Sequence, residues 1–531
     1  MDNDNLYLKP NVVIEPLFDN WYAWSHLISP ATSAMNISGR HLKIMSSYIQ
    51  APSTHAAAVK SPKMLGGPFI DYKGKRVEDI ENLKNETLIK QKNLIAFSGA
   101  IKELDLLLKS KANGYSLEPL YSEIPEILKG YVELHYDLNC QPSYRFFEPL
   151  LYKSEFYNPS SQTILLWLTK NDERPFVLST PRIEENDKLH LNVSFNDENL
   201  DYLSKMKRIP NSLLEIKNKL NISKEQEKVF NSFFTNQKPK KYIKYEGKDI
   251  RMRYFGHASI LIESKNINIM LDPVISYYGY PHEVERFSDM DLPETIDYVL
   301  ITHNHQDHVL LETLIPLRHK IKNIIVPRSN KSLQDPSLKL MFNSIGFNNI
   351  IEIDEMETID FFDCKITGVP FIGEHSDLNI HSKICYNVSF KNFKMLFVAD
   401  SCNLESKLYK LVQKELGDVD VLFLGMECDG APLSWLYGPL LSENLERDMD
   451  LSRRLAGSNF ERGKGLVETF NPKEVYIYAM GQEPWLEFIS SIKYTDESNP
   501  IIQSNKLIEY CRYKNITSER LFGEKEILYK K

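Results

Sequence analysis

The six residues His303-Asn304-His305-Gln306-Asp307-His308 place three imidazoles and a carboxylate directly after the apolar run Ile296-Asp297-Tyr298-Val299-Leu300-Ile301. Such a run reads as a buried strand, so the polar cluster sits where the chain leaves the core and its side chains can converge on one point. A lone histidine at a strand end is ordinarily a surface or packing residue. Four donors at H-x-H-x-D-H spacing are another matter, because neutral imidazole nitrogens and a carboxylate are what Zn, Fe or Mn accept, and burying them unpartnered is costly. His303 with His305, and Asp307 with His308, form two pairs, which implies two metals sharing a bridge from elsewhere in the chain.

The elements that must position this cluster show the same habit. Beyond residue 240 the chain is a series of short apolar runs, each ending in polar residues. Residues 259–263 and 267–271 lead to Asp272-Pro273, and residues 365–372 lead to Gly373-Glu374-His375. Residues 394–399 end at Asp400, 419–426 at Glu427, and 475–480 at Gly481-Gln482-Glu483. Strand after strand finishes in a potential ligand.

The first half reads differently. Residues 75–112 carry a charged helical pattern, with further helical patterns at 119–130 and 211–234; the clearest strand is Thr163 to Leu168. At 531 residues the chain exceeds what one hydrophobic core usually supports, so two domains are expected. Thr235-Asn236-Gln237-Lys238-Pro239-Lys240-Lys241 suits a solvated linker and places the boundary near 240. The expectation is an α/β domain over 1–240 and a second domain over 241–531.

A net charge of −8 argues against a nucleic-acid partner. No apolar stretch approaches the length of a membrane span, and Met1-Asp2-Asn3-Asp4-Asn5 is no export leader, which points to the cytoplasm. Six cysteines without C-x-x-C pairs suit reduced thiols rather than a disulfide framework or a thiolate metal site.

The H-x-H-x-D-H motif with the later Asp400, together with Gly256-His257-Ala258-Ser259 and Leu271-Asp272-Pro273, resembles the metallo-β-lactamase fold over about residues 250–490. The resemblance implies an αββα sandwich in which His303 and His305 bind one metal, Asp307 and His308 the other, and Asp400 bridges them. Asp272 would support the ligands from behind. Hydrolases of this fold add a histidine after a late strand, whereas here that strand is followed by Gly481-Gln482-Glu483. The third-ligand region offers Glu374 beside His375.

This combination is similar to the diiron β-hydroxylases of chloramphenicol biosynthesis and their relatives, oxygenases that act on amino acids carried by nonribosomal peptide synthetases. The resemblance implies Glu374 as ligand, with His375 the alternative, and two iron ions with O₂ as co-substrate. It also implies an external electron donor, a thiolation (carrier) domain as partner and a homodimer, with the first domain serving dimerisation or carrier docking. Fewer imidazoles make the site harder and more anionic, which favours iron over zinc. The competing expectation is a dinuclear zinc hydrolase of a lactone, thioester or phosphodiester. Glu427 is a candidate catalytic group, with Asp429 as a further site or turn-capping residue. Trp435 and Tyr437 are candidates for a pocket wall, His257 lies plausibly nearby, and His319 and His381 are expected to have no metal role.

Overall fold

The computed structural model describes residues 5–361 and 363–530. Its second half is built on two seven-stranded mixed sheets. One runs in the order Ile350–Ile353, Ile321–Pro327, Ile296–Leu300, Asn268–Leu271, Ile260–Glu263, Ile250–Tyr254 and Lys525–Tyr529. The other runs Thr358–Phe361, Cys364–Val369, Cys385–Phe390, Phe393–Phe397, Val421–Gly425, Glu474–Tyr478 and Thr517–Arg520. Met252, Ile260, Leu300, Ile366, Tyr386 and Phe423 belong to the apolar layer between them. Helices Ser406–Leu416, Phe460–Phe470 and Asn499–Tyr513 cover the outer face of the second sheet, with Tyr409, Leu466 and Leu507 packed beneath them. This is the expected αββα sandwich. Parallel neighbours on both sides of Ile296–Leu300 and Val421–Gly425 bury these strands, which is why they read as near-continuous apolar runs.

The first half corrects several expectations. Its strand content exceeds one clear strand: Val12–Phe18, wholly buried, pairs antiparallel with Gln162–Leu168, flanked by Trp21–Tyr22 and Leu189–Leu191. Glu15 and Pro16 disguise that strand in the sequence; the Glu15 carboxylate is satisfied by Arg182 at 2.6 Å, Trp167 at 3.0 Å and Arg174 at 3.4 Å. The pattern over 75–112 is two helices, Val77–Lys90 and Lys92–Lys111, broken at Gln91. Residues 119–130 form two short 3₁₀ turns, and 211–234 holds the short helices Leu213–Lys219 and Glu227–Ser232 between the two-residue strands Asn211–Ser212 and Phe234–Thr235. Helix Pro30–Asn36 passes through a π-turn at Ile37–His41 into Leu42–Gln50.

The halves share one apolar core, in which Leu8, Ile14 and Phe195 join Leu261, Val299 and Leu314. Arg174 also makes a bidentate pair with Glu312, at 2.8 and 2.7 Å, on the helix Leu311–Leu317 that follows the histidine motif. The first half thus buttresses the element next to the motif. Among the described residues no helix is long and apolar enough to cross a membrane, and all six cysteines are free thiols.

Candidate metal centre

Side by side at the ends of parallel strands, Leu271 and Leu300 set Asp272 against the start of the motif. Asp272 Oδ1 accepts the Thr302 N–H at 2.8 Å, while Oδ2 accepts the Thr302 hydroxyl at 2.6 Å and faces His308 Nδ1 at 2.8 Å. His308 Nδ1 therefore carries a proton, and its Nε2 points inward, 3.1 Å from Asp400 Oδ2. Because the Thr302 hydroxyl donates to Asp272, it accepts from His303 Nδ1 at 3.0 Å. His303 Nε2 is left without a partner, 3.7 Å from the same Asp400 oxygen. On the other side His305 places Nε2 on the Tyr437 hydroxyl at 3.0 Å and Nδ1 at 3.1 Å from Glu374 Oε1.

These donors fall into three overlapping sets: His303, His305, Glu374 and His375; His257, Asp307 and His308; and His303, His308 and Asp400. All six residues expected as ligands are brought together, with Asp400 between the two histidines. Asp400 lies beyond strand Phe393–Phe397, where Ala399 takes a φ of 44°. His257, Asp272, Glu374 and Ala479 also have positive φ, at 50°, 36°, 64° and 53°. Non-glycine residues in this region cost about 1–3 kcal/mol each, and here they cluster where chain ends turn side chains toward one point.

Crowding these groups shifts their proton affinities. Burial, reinforced by neighbouring imidazoles, holds His303 well below the usual histidine range, so it is neutral and ready to ligate. Burial opposes charge on His308, but Asp272 and Asp400 outweigh it and raise its affinity for a proton. His305 is raised likewise, Glu374 outweighing burial, and Glu374 is lowered in turn by His305 and His375 against its own burial. Burial lowers His375 despite the adjacent Glu374. The protons on His305 and His308 stand where metal cations would satisfy the same carboxylates.

Among the described residues several inward atoms have no hydrogen-bond partner, His303 Nε2, His375 Nε2 and Asp400 Oδ1, while Glu374 Oε2 meets only His375 Nδ1, at 2.7 Å. So many orphaned buried donors and acceptors at one point, all nitrogen or oxygen, are what a pair of iron ions would satisfy. His257 is at the site but has a different character. Its Nδ1 accepts the Gly481 N–H at 3.1 Å, so its proton resides on Nε2, 3.3 Å from Asp307 Oδ2. It holds the Asp307 carboxylate, which is lowered because this contact and His308 outweigh burial. The loop after strand Glu474–Tyr478 thus supplies a backbone donor to His257 and no imidazole to the donor sets.

A cavity of about 300 Å³ opens on the donors, lined by His305, Asp307, Glu374, Asp400 and Glu427. Trp435, Leu436, Met480 and Ile492 give it an apolar side. Glu427 both caps its turn, accepting the Gly430 N–H at 2.7 Å, and faces this cavity; burial first, and then Asp400, push its carboxyl up to about 8. Asp429 is turned away, accepting from Asn499 at 2.8 Å near the surface. His319 and His381 belong to none of the donor sets.

Sequence reasoning missed the contribution of the first half. Leu65 and Gly66 complete the cavity wall, and Gly66 O accepts the Trp435 indole N–H at 2.9 Å. From the π-turn, Arg40 donates to Trp435 O at 2.6 Å and Leu436 O at 3.1 Å. The extra residue of such a turn leaves a local signal only through Gly39, whose missing Cβ allows Pro439 to approach.

Sandwich, motif and donor sets define the class: a β-lactamase-superfamily domain with a two-metal centre at the strand ends. Residues 251–431 match that superfamily domain, and residues 7–239 match the diiron non-heme β-hydroxylase N-terminal domain. The chain is 38% identical over 524 residues to the 4-amino-L-phenylalanyl-CmlP-peptidyl-carrier-protein 3-hydroxylase of Streptomyces venezuelae, covering 97% of this chain and 98% of that one. The crystal structure of CmlA, a diiron β-hydroxylase from Streptomyces venezuelae, superposes with a TM-score of 0.93 at 36% identity over 99% of each chain. The chain belongs to the diiron β-hydroxylase family. It is an iron-dependent hydroxylase, and the zinc hydrolase alternative falls away.

Proposed function

We propose that this enzyme hydroxylates the β-carbon of an aminoacyl group held as a thioester on the thiolation domain of a nonribosomal peptide synthetase. The observation that carries the reading is the donor set itself, with Glu374 brought onto His305 and no histidine following strand Glu474–Tyr478. Similarity to the carrier-protein 3-hydroxylase along nearly the whole chain supports the tethered substrate. The ligands would be His303, His305 and Glu374 for one iron and Asp307 and His308 for the other, with Asp400 between them. Loaded with iron, the centre supplies reductive activation of O₂, with two external electrons and two protons, so that one oxygen atom enters the C–H bond and the other leaves as water.

The chain's own residues supply the setting. Asp272 and Thr302 fix the tautomers of His308 and His303, His257 orients Asp307, and Tyr437 holds His305. Trp435, Leu436 and Met480 offer an apolar surface to a substrate side chain and exclude water. Glu427 would hold a proton at the cavity wall. The same reading places the protein in the cytoplasm, consistent with six free thiols, as a homodimer served by an electron-transfer protein. A division into domains near residue 240 is part of it, supported by the irregular segment 236–249 between the two matched regions.

The test is a single turnover of reduced, iron-loaded enzyme with aminoacyl-carrier protein under ¹⁸O₂. Mass spectrometry should find one labelled oxygen on the carrier-bound amino acid and none when the free amino acid is offered. Hydroxylation of the free amino acid alone would overturn the tethered-substrate reading, and thioester cleavage without oxygen incorporation would overturn the oxygenase.

A further inference from the structure

Away from the metal centre a second cavity, of about 420 Å³, opens where the two halves meet. The segment 238–242, read from sequence as a solvated linker, forms part of its wall. Seven cationic side chains line it, and two are neutralised: Lys207 by Asp289 at 2.8 Å, and Lys240 by Asp291 at 2.7 Å. The other five, Lys205, Arg208, Lys238, Lys241 and Lys320, make no ion pair with a carboxylate among the described residues. Against them stand three carboxylates of the lining: Asp289, shared with Lys207, Glu294, which makes no ion pair among the described residues, and Glu312, which is already paired with Arg174 at 2.7 Å.

The arrangement is graded. Lys205, Lys238 and Lys241 are exposed and form the rim, Arg208 is half-buried, and Lys320 is buried. Among the described residues the Lys320 ammonium donates to Pro293 O alone, at 3.0 Å. Burial, with Arg208 beside it, draws Lys320 down to about 7 against the opposing pull of Asp289 and Glu294, neither of which forms an ion pair with it. Lysine is seldom buried unless paired, so a buried lysine at the floor of a cavity with a cationic rim indicates that an anion completes the set. Five cations converging on one space exceed what a single carboxylate can satisfy and suit a phosphate dianion, with Arg208 and Lys320 as its deep partners. Ile275, Met290 and Leu317 supply apolar wall beside them, and the volume lies in the range of small-ligand sites.

We propose that this cavity binds a small organic phosphate, with Lys320 and Arg208 holding the phosphoryl group and the apolar wall holding its organic body. The site is separate from the iron centre and needs no step of the hydroxylation.

Calorimetric titration of the iron-loaded full chain with phenyl phosphate and with inorganic phosphate, at constant ionic strength, tests it. Phenyl phosphate should bind about threefold or more tightly than inorganic phosphate, reflecting its apolar body. Lys320→Met and Arg208→Met should each weaken phenyl phosphate binding about tenfold, and the exposed rim variants Lys205→Met and Lys241→Met, which carry little risk to folding, about threefold. The surface variant Lys129→Met should change nothing. Equal binding of the two phosphates would overturn the organic-ligand assignment. Undiminished binding in all four cavity variants would overturn the site, and if that binding also disappeared in Asp400→Ala the phosphate would be held at the metal centre. Absence of heat with either probe would overturn the proposal outright.

Discussion

The two sides of the metal centre are held by different means. On the side of Asp307 and His308, every donor is fixed by a group attached to a sheet: His308 by Asp272, Asp272 by Thr302, and Asp307 by His257, itself held by the Gly481 N–H. On the side of His305 and Glu374 the supports are a tyrosine from the short helix Leu433–Tyr437 and a loop, 373–377, in which Gly373, Glu374, Ser376 and Asp377 all take positive φ. Strand ends share the rigidity of the sandwich, whereas residues 373–377 lie in a loop outside both sheets. One side preserves the geometry of the centre, and the other can adjust when something enters the cavity beside it.

The greatest loss should come from removing what both sides share. Asp400→Ala should lower iron content toward zero and turnover by roughly a thousandfold or more, read by metal analysis and a hydroxylation assay. Asp272→Asn, which removes the brace of the fixed side while keeping its size, should cost about 10–100-fold in iron affinity or activity. Tyr437→Phe, on the adjustable side, should cost only about threefold, the worth of one hydrogen bond to a ligand. A larger effect for Tyr437→Phe than for Asp272→Asn would break the comparison. The mildest probe is chelation: hydrogen exchange should rise at residues 374–377 while residues 302–308 stay protected, and equal deprotection of both would show that the metal, rather than the sheet, holds the motif.

Legibility in the sequence followed how local each feature is. His303, His305, Asp307 and His308 stand within one turn of chain after a buried strand, so spacing alone announced them; Asp272, Glu374 and Asp400 were visible because each follows an apolar run. Glu427 was visible for the same reason, yet its neighbour Asp429 was equally so and turns outward, since two residues in an extended segment share a face but a turn separates them. Tyr437 was in view only as a pocket residue, because its partner His305 lies 132 positions away. Leu65, Gly66 and Arg40 carried no sign of the site, because only the shared core of the two halves brings them to it. Lys238 and Lys241 were read as solvated for want of the opposing wall, which Arg208 and Lys320 provide from distant elements.

The π-turn at Ile37–His41 sets how the first half reaches the cavity. Such a turn holds one residue more than a regular helical turn, and one extra residue inside a helix turns one end about 100° relative to the other. Deleting Gly39 would restore an unbroken helix and swing Arg40 out of register with the carbonyls of Trp435 and Leu436. One extra residue therefore brings Arg40 onto the wall of the cavity, beside the hold that Gly66 already has on Trp435.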